Sequence, residues 1–117
     1  MCDNRGMLTS GTDKATLTQG DLIRVLGEPL RLRIVTLLAQ AALCTNHLIK
    51  ETGARQTALS NHLRVLREAG IVESEPHGRF TYYRLRPEVP EALAEFFAEL
   101  ARTAAESLAA DRKRPCE

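Results

Sequence analysis

Leu59, Leu63 and Leu66 recur at three- and four-residue spacing, the stripe of a helix that buries one face, and Gly70 stands where that helix should stop. The same periodicity sends Gln56, Thr57, Ser60, Asn61 and Arg64 to the opposite side. The segment just before predicts a shorter helix, with Thr45 placed as its N-cap, Leu48 and Ile49 as apolar members and Gly53 as the left-handed residue that ends it. Two helices therefore meet across Gly53-Ala54-Arg55. Beyond Gly70 the pattern changes. Ile71 to Glu75 and Phe80 to Leu85 are rich in strand formers and flank Pro76-His77-Gly78-Arg79, which predicts a β-hairpin with a basic turn.

Further helices bracket this middle section. One is predicted from Thr18 to Leu26, with Asp21 at capping-box distance from Thr18, and another from Pro29, suited to a first helical position, to Gln40. From Glu88 a long helix carries Ala92, Phe96, Leu100 and Ala104 on one stripe, with Leu93, Phe97, Ala101 and Leu108 alongside. The expected fold is mainly α: a winged helix-turn-helix of five helices and a two-stranded wing. It is read as a single domain over residues 1–117, with a flexible N-terminal arm (1–15), a dimerisation helix (88–111) and a flexible tail (112–117).

The polar side of the Gln56 helix gives the pattern a chemical meaning. Amide and hydroxyl groups both donate and accept, Gln and Asn can pair bidentately with an adenine edge, and Arg with guanine or phosphate. A merely solvated face more often carries Glu and Lys. In a helix-turn-helix the second helix enters the major groove by its N-terminal part, which assigns DNA contact to Gln56, Thr57, Ser60, Asn61 and Arg64, with Arg79 at the wing tip meeting the backbone or minor groove. The formal net charge of only +1 conceals a division along the chain. Residues 46–86 hold seven Lys/Arg against four Glu, whereas residues 87–117 hold four against seven acidic groups. Positive charge thus gathers on the reading segment.

Other classes find little support. No apolar run approaches the roughly 20 residues that span a bilayer, and the first residues lack a signal peptide's hydrophobic stretch, so a cytoplasmic protein with no membrane partner is expected. Three widely separated cysteines argue for reduced thiols over a disulfide framework. No phosphate-cradling glycine loop surrounds any of them, so no enzyme is expected.

Several segments in order carry a resemblance: Leu26-Gly27-Glu28-Pro29-Leu30-Arg31-Leu32-Arg33-Ile34, Leu43-Cys44, Ser60-Asn61-His62-Leu63, Leu66-Arg67-Glu68-Ala69-Gly70-Ile71-Val72, and Gly78-Arg79 with Tyr82-Tyr83-Arg84-Leu85. Over almost its whole length the chain resembles the ArsR/SmtB family of small bacterial metal-sensing repressors, most nearly the arsenic-sensing members. The resemblance implies a homodimer built on the first and last helices, with reading helices about 34–36 Å apart and a palindromic double-stranded operator. It also implies an inducer, trivalent arsenic or antimony, and no cofactor for DNA binding. Cys44 stands at the first position of the family's Cys-x-Cys pair, but Asn46 replaces the second cysteine. A soft centre prefers thiolates, so Cys2 and Cys116 are the further ligands to consider beside Cys44. For Cys44 a small buried apolar role stands as the alternative. Histidine is absent from the last helix, which argues against the intersubunit zinc site of some relatives, while cadmium or lead sensing and a thiol-redox switch stay open. His62 reads as structural or near DNA, His77 as a solvated turn residue, and His47, three residues after Cys44, as an exposed polar residue at a helix start.

Overall fold

The structure, a computed structural model, describes residues 17–116. Its elements run α1 (Gln19–Leu26), α2 (Pro29–Leu38), β1 (Leu43–Cys44), α3 (Thr45–Thr52), α4 (Gln56–Glu68), β2 (Val72–His77), β3 (Phe80–Leu85) and α5 (Glu88–Ala109). The chain divides into two compact units between Arg86 and Pro87. The 1–15 arm and Cys2 lie outside the described residues. The predicted winged helix-turn-helix, with five helices and a hairpin, is the fold observed.

In the first unit, α1 begins with the predicted capping box. The Asp21 N–H donates to Thr18 Oγ1 at 3.1 Å, and the Thr18 N–H donates to the Asp21 carboxylate at 3.2 Å. Glu28 caps α2 by accepting the Arg31 N–H at 2.9 Å, and Pro29 opens that helix, which ends at Leu38, two residues earlier than Gln40. Hydrogen bonding from Thr18 holds the Asp21 carboxyl below the usual carboxylate range, and the Arg31 N–H does the same for Glu28. Both groups stay ionised in the fold at a pH where the unfolded chain would protonate them. Their contribution is therefore complete above the ordinary carboxylate range and is lost as pH falls through the lowered folded values. Thermal unfolding followed by circular dichroism should show a midpoint that drops below about pH 4, less steeply in Asp21→Asn than in the parent. Equal slopes would remove the Thr18–Asp21 box from the acid response.

A strand absent from the sequence-based expectation follows. Leu43 and Cys44 pair antiparallel with β3, opposite Tyr83 and Tyr82, giving a three-stranded sheet in the order β1-β3-β2. Extended backbone at Cys44 (φ −87°, ψ 169°) makes this residue the N-cap of α3, so Thr45, expected as the cap, is instead the first helical residue. The turn between α3 and α4 is braced by Thr52, whose Oγ1 donates to the Leu48 carbonyl at 2.7 Å and accepts the Ala54 N–H at 3.2 Å. Gly53 takes the predicted left-handed conformation (φ 71°). Arg33 of α2 donates to the Glu51 carbonyl at 3.1 Å, tying α2 to the end of α3.

Helix α4 lays Leu59, Leu63 and Leu66 into the core with Ile34, Leu38, Leu48, Ile71 and Val72. It ends in a Schellman motif, in which Gly70 N–H bonds Arg67 O and Ile71 N–H bonds Leu66 O, each at 3.0 Å. That geometry needs a left-handed residue, which Gly70 supplies at φ 76°. The motif drops Ile71 into the core and launches β2. Strand β2 extends through Pro76 and His77, which the sequence placed in the turn, leaving Gly78-Arg79 as a two-residue loop. Proline is tolerated because β2 is an edge strand.

The second unit is α5, whose C-terminus is also closed by a Schellman motif, here with Asp111 at φ 52°. The helix therefore ends at Ala109, two residues before the predicted position 111. Phe97 (50% exposed), Leu100 (49%) and Leu108 (81%) remain open to solvent. Among the described residues no helix is long and apolar enough to cross a membrane.

Candidate nucleic-acid interface

Burial of the leucine stripe leaves the other side of α4 to solvent, where Gln56, Thr57, Ser60, Asn61 and Arg64 are all exposed. Positions 56, 60 and 64 follow one another at four-residue spacing, with 57 and 61 in the adjoining row, so the five groups form one polar strip. Arg55 occupies the N-cap of α4 without a side-chain hydrogen bond to the helix, so the helix begins at Gln56. The first-turn N–H groups of such a terminus suit a phosphate oxygen. Within the strip Arg64 donates to the Asn61 side-chain carbonyl and lies 3.5 Å from the Glu68 carboxylate. These are exposed pairs of small net worth, and a stronger partner can displace them.

At the far end of the hairpin, Arg79 is exposed in the two-residue loop beside exposed Phe80. The outer face of the hairpin differs from its tip. There Glu75 and Arg84 form an ion pair at 3.2 Å, and His77 packs edge-on against Tyr82 with ring centres 5.6 Å apart.

His62 faces away from the strip and is largely buried, with 18% of its side chain exposed. Arg31 Nε donates to its Nδ1 at 3.1 Å, Arg31 Nη1 donates to the Val25 carbonyl at 3.1 Å, and Glu28 Oε1 lies 3.9 Å from its Nε2. Nothing local in the sequence marks this cluster, because His62 lies 31 positions beyond Arg31 and belongs to a different periodic segment.

Cys44 is buried, and its Sγ lies 3.5 Å from Nδ1 of His47, itself exposed. The pair joins the last residue of β1 to the first turn of α3. Cys116 is a free, exposed thiol beyond α5. Among the described residues no three His, Cys, Asp or Glu side chains converge as a metal would require.

Comparison with known proteins places this arrangement. The arsR family of bacterial regulatory proteins matches residues 28–74, from the N-cap of α2 into β2. The arsenical resistance operon repressor of Escherichia coli is 34% identical over 79 residues, covering 67% of this chain and 68% of that protein. The HTH-type transcriptional repressor SmtB of Mycobacterium tuberculosis is 38% identical over 66 residues, covering 56% of this chain. This chain spans about half (49%) of the mycobacterial protein's length. A crystal structure described as a possible transcriptional regulator for arsenical resistance superposes with a TM-score of 0.63 at 38% identity, covering 84% of this chain and 99% of that one. These relatives are regulators of transcription, not enzymes. With the helix-turn-helix, the wing and the matched core in common, the chain belongs to the arsR family of bacterial regulatory proteins.

Proposed function

We propose that the chain is a cytoplasmic transcriptional repressor that binds a palindromic operator as a homodimer and is released when trivalent arsenic or antimony is captured by cysteine thiolates. The observation that carries the reading is the exposed strip Gln56, Thr57, Ser60, Asn61 and Arg64 on a helix whose opposite face is buried leucine. Arg79 reaches from the wing toward the phosphates. The apolar side chains left open on α5, Phe97, Leu100 and Leu108, favour a second copy as their cover.

The inducer assignment draws on the arsenical-resistance relatives and on Cys44. Around Cys44 the donors are one thiol and one imidazole, short of the three thiolates that suit a soft trivalent centre. Cys2 and Cys116, from the same subunit or its partner, supply the remainder in this reading. Capture lowers DNA affinity only if the thiolates converge better in a conformer whose reading helices are wrongly placed. Cys44 suits that role because it caps the helix that leads directly into α4.

The test uses an operator selected from a random duplex library and read by gel shift. Binding should weaken steeply as salt rises, and arsenite should release the parent by five- to about 150-fold in affinity. Cys44→Ser should bind the same duplex and resist arsenite. If the variant is released like the parent, Cys44 is not the sensor. Release by cadmium or lead, or by an oxidant that a reducing agent reverses, with arsenite inert, would reassign the inducer within the same family.

A further inference from the structure

We infer that His62 is a positioning residue for DNA binding, its neutral ring pinned by Arg31 so that α4 keeps the orientation in which Ser60 and Asn61 face the bases, and that a proton on this ring undoes operator recognition. The inference rests on the DNA-binding reading proposed above.

The chemistry of the clasp is asymmetric. A guanidinium only donates, so Arg31 Nε at 3.1 Å requires a lone pair on His62 Nδ1 and leaves the ring proton on Nε2. The Nε2 side faces Glu28 Oε1 at 3.9 Å, too far for a hydrogen bond. The Arg31 bond therefore exists only with the neutral ring. Once Nδ1 is protonated, two donors and two positive charges stand face to face. The imidazolium is drawn instead toward Glu28, whose Oε1 already accepts the Arg31 N–H as the cap of α2. One proton thus exchanges the Arg31 contact for a Glu28 contact and loosens the first turn of α2.

Among the described residues, Arg31 and Glu28 are the charged groups that meet the ring. From α2 it meets Arg31 and Glu28, α1 contributes only the Val25 carbonyl that fixes the guanidinium, and its neighbours one turn away on α4 are Ala58, Leu59, Val65 and Leu66. Arg64 and Glu68 are occupied with each other on the exposed side. The consequence for reading follows from the difference between the two holds on α4. Leucine packing is non-directional and tolerates small rotations, whereas a hydrogen bond fixes direction, and base contacts need placement within about 0.5 Å.

Non-specific attraction to DNA also depends on charge, so the discriminating quantity is operator affinity divided by affinity for a scrambled duplex. That ratio should fall about tenfold in the parent between about pH 7.5 and pH 5.5, a range in which histidine changes charge. In His62→Asn the amide oxygen can replace Nδ1 as a non-titrating acceptor, so the ratio should stay within about threefold of the parent's neutral value at both pH values. Arg31→Met should show a low ratio at both. Long-range proton–nitrogen NMR on the parent alone should find the Nε2–H tautomer of His62 at neutral pH. The Nδ1–H tautomer, a pH-independent ratio in the parent, or an equal fall in His62→Asn would each overturn the inference while leaving DNA binding intact. A parent that binds neither duplex at neutral pH and low salt would overturn the DNA-binding reading, and this inference with it.

Discussion

Leu59→Ala is expected to lower the free energy of unfolding by about 2–5 kcal/mol, a large part of the roughly 5–15 kcal/mol available to a domain. Leu59 has no solvent exposure and opens the buried stripe of α4, a helix against which α2, α3 and β2 all pack. Truncation removes apolar surface from the core and leaves a void that rigid neighbours cannot fill completely. The contrast lies one position earlier and later. Ala58 and Ser60 are exposed, and conservative changes there should shift stability by no more than about 0.5 kcal/mol. Urea denaturation of the full chain measures both. A loss below about 1 kcal/mol at Leu59 would mean that α4 is not seated through this residue.

Asn61→Ala should weaken binding to the selected operator by about 1–3 kcal/mol, roughly five- to 150-fold, while leaving affinity for a scrambled duplex nearly unchanged. Asn61 lies mid-strip with its carbonyl occupied by Arg64, and that local bond is easily exchanged for a base edge because both partners are exposed. Arg79→Ala serves as the contrasting case. A phosphate contact should weaken operator and scrambled DNA alike and reduce the salt slope by about 1. Should Asn61→Ala lose affinity equally for both duplexes, Asn61 touches the backbone and the reading register shifts along α4.

What could be read from the sequence follows from how local each signal is. The α4 stripe, the Gly53 and Gly70 stops and the Thr18–Asp21 box all depend on residues within one or two helical turns, so spacing alone locates them. Exposure of Gln56, Thr57, Ser60, Asn61 and Arg64 follows from the same stripe. Strand β1 was invisible because two residues cannot show an alternation, and its partner lies about forty positions downstream. That unseen strand is also why the cap of α3 falls on Cys44 and not on Thr45, since pairing with β3 keeps Cys44 extended. The Arg31–His62–Glu28 clasp is equally non-local. His62 looked structural from its motif, but which residues held it required the packing of α2 on α4. The cysteines show the same limit, because a ligand set drawn from positions 2, 44 and 116 has no spacing for a sequence to display.

Strand β1 has a mechanical consequence. Cys44 is hinged to two levers at once: it stands opposite Tyr82 in the wing's central strand, and it is the residue from which α3 sets out toward the reading helix. A ligand that drags this sulfur from its seat would tilt the wing and swing the helix together. On the proposed reading, groove and backbone grips would then slacken in one stroke, driven from one of the inducer's thiolate anchors.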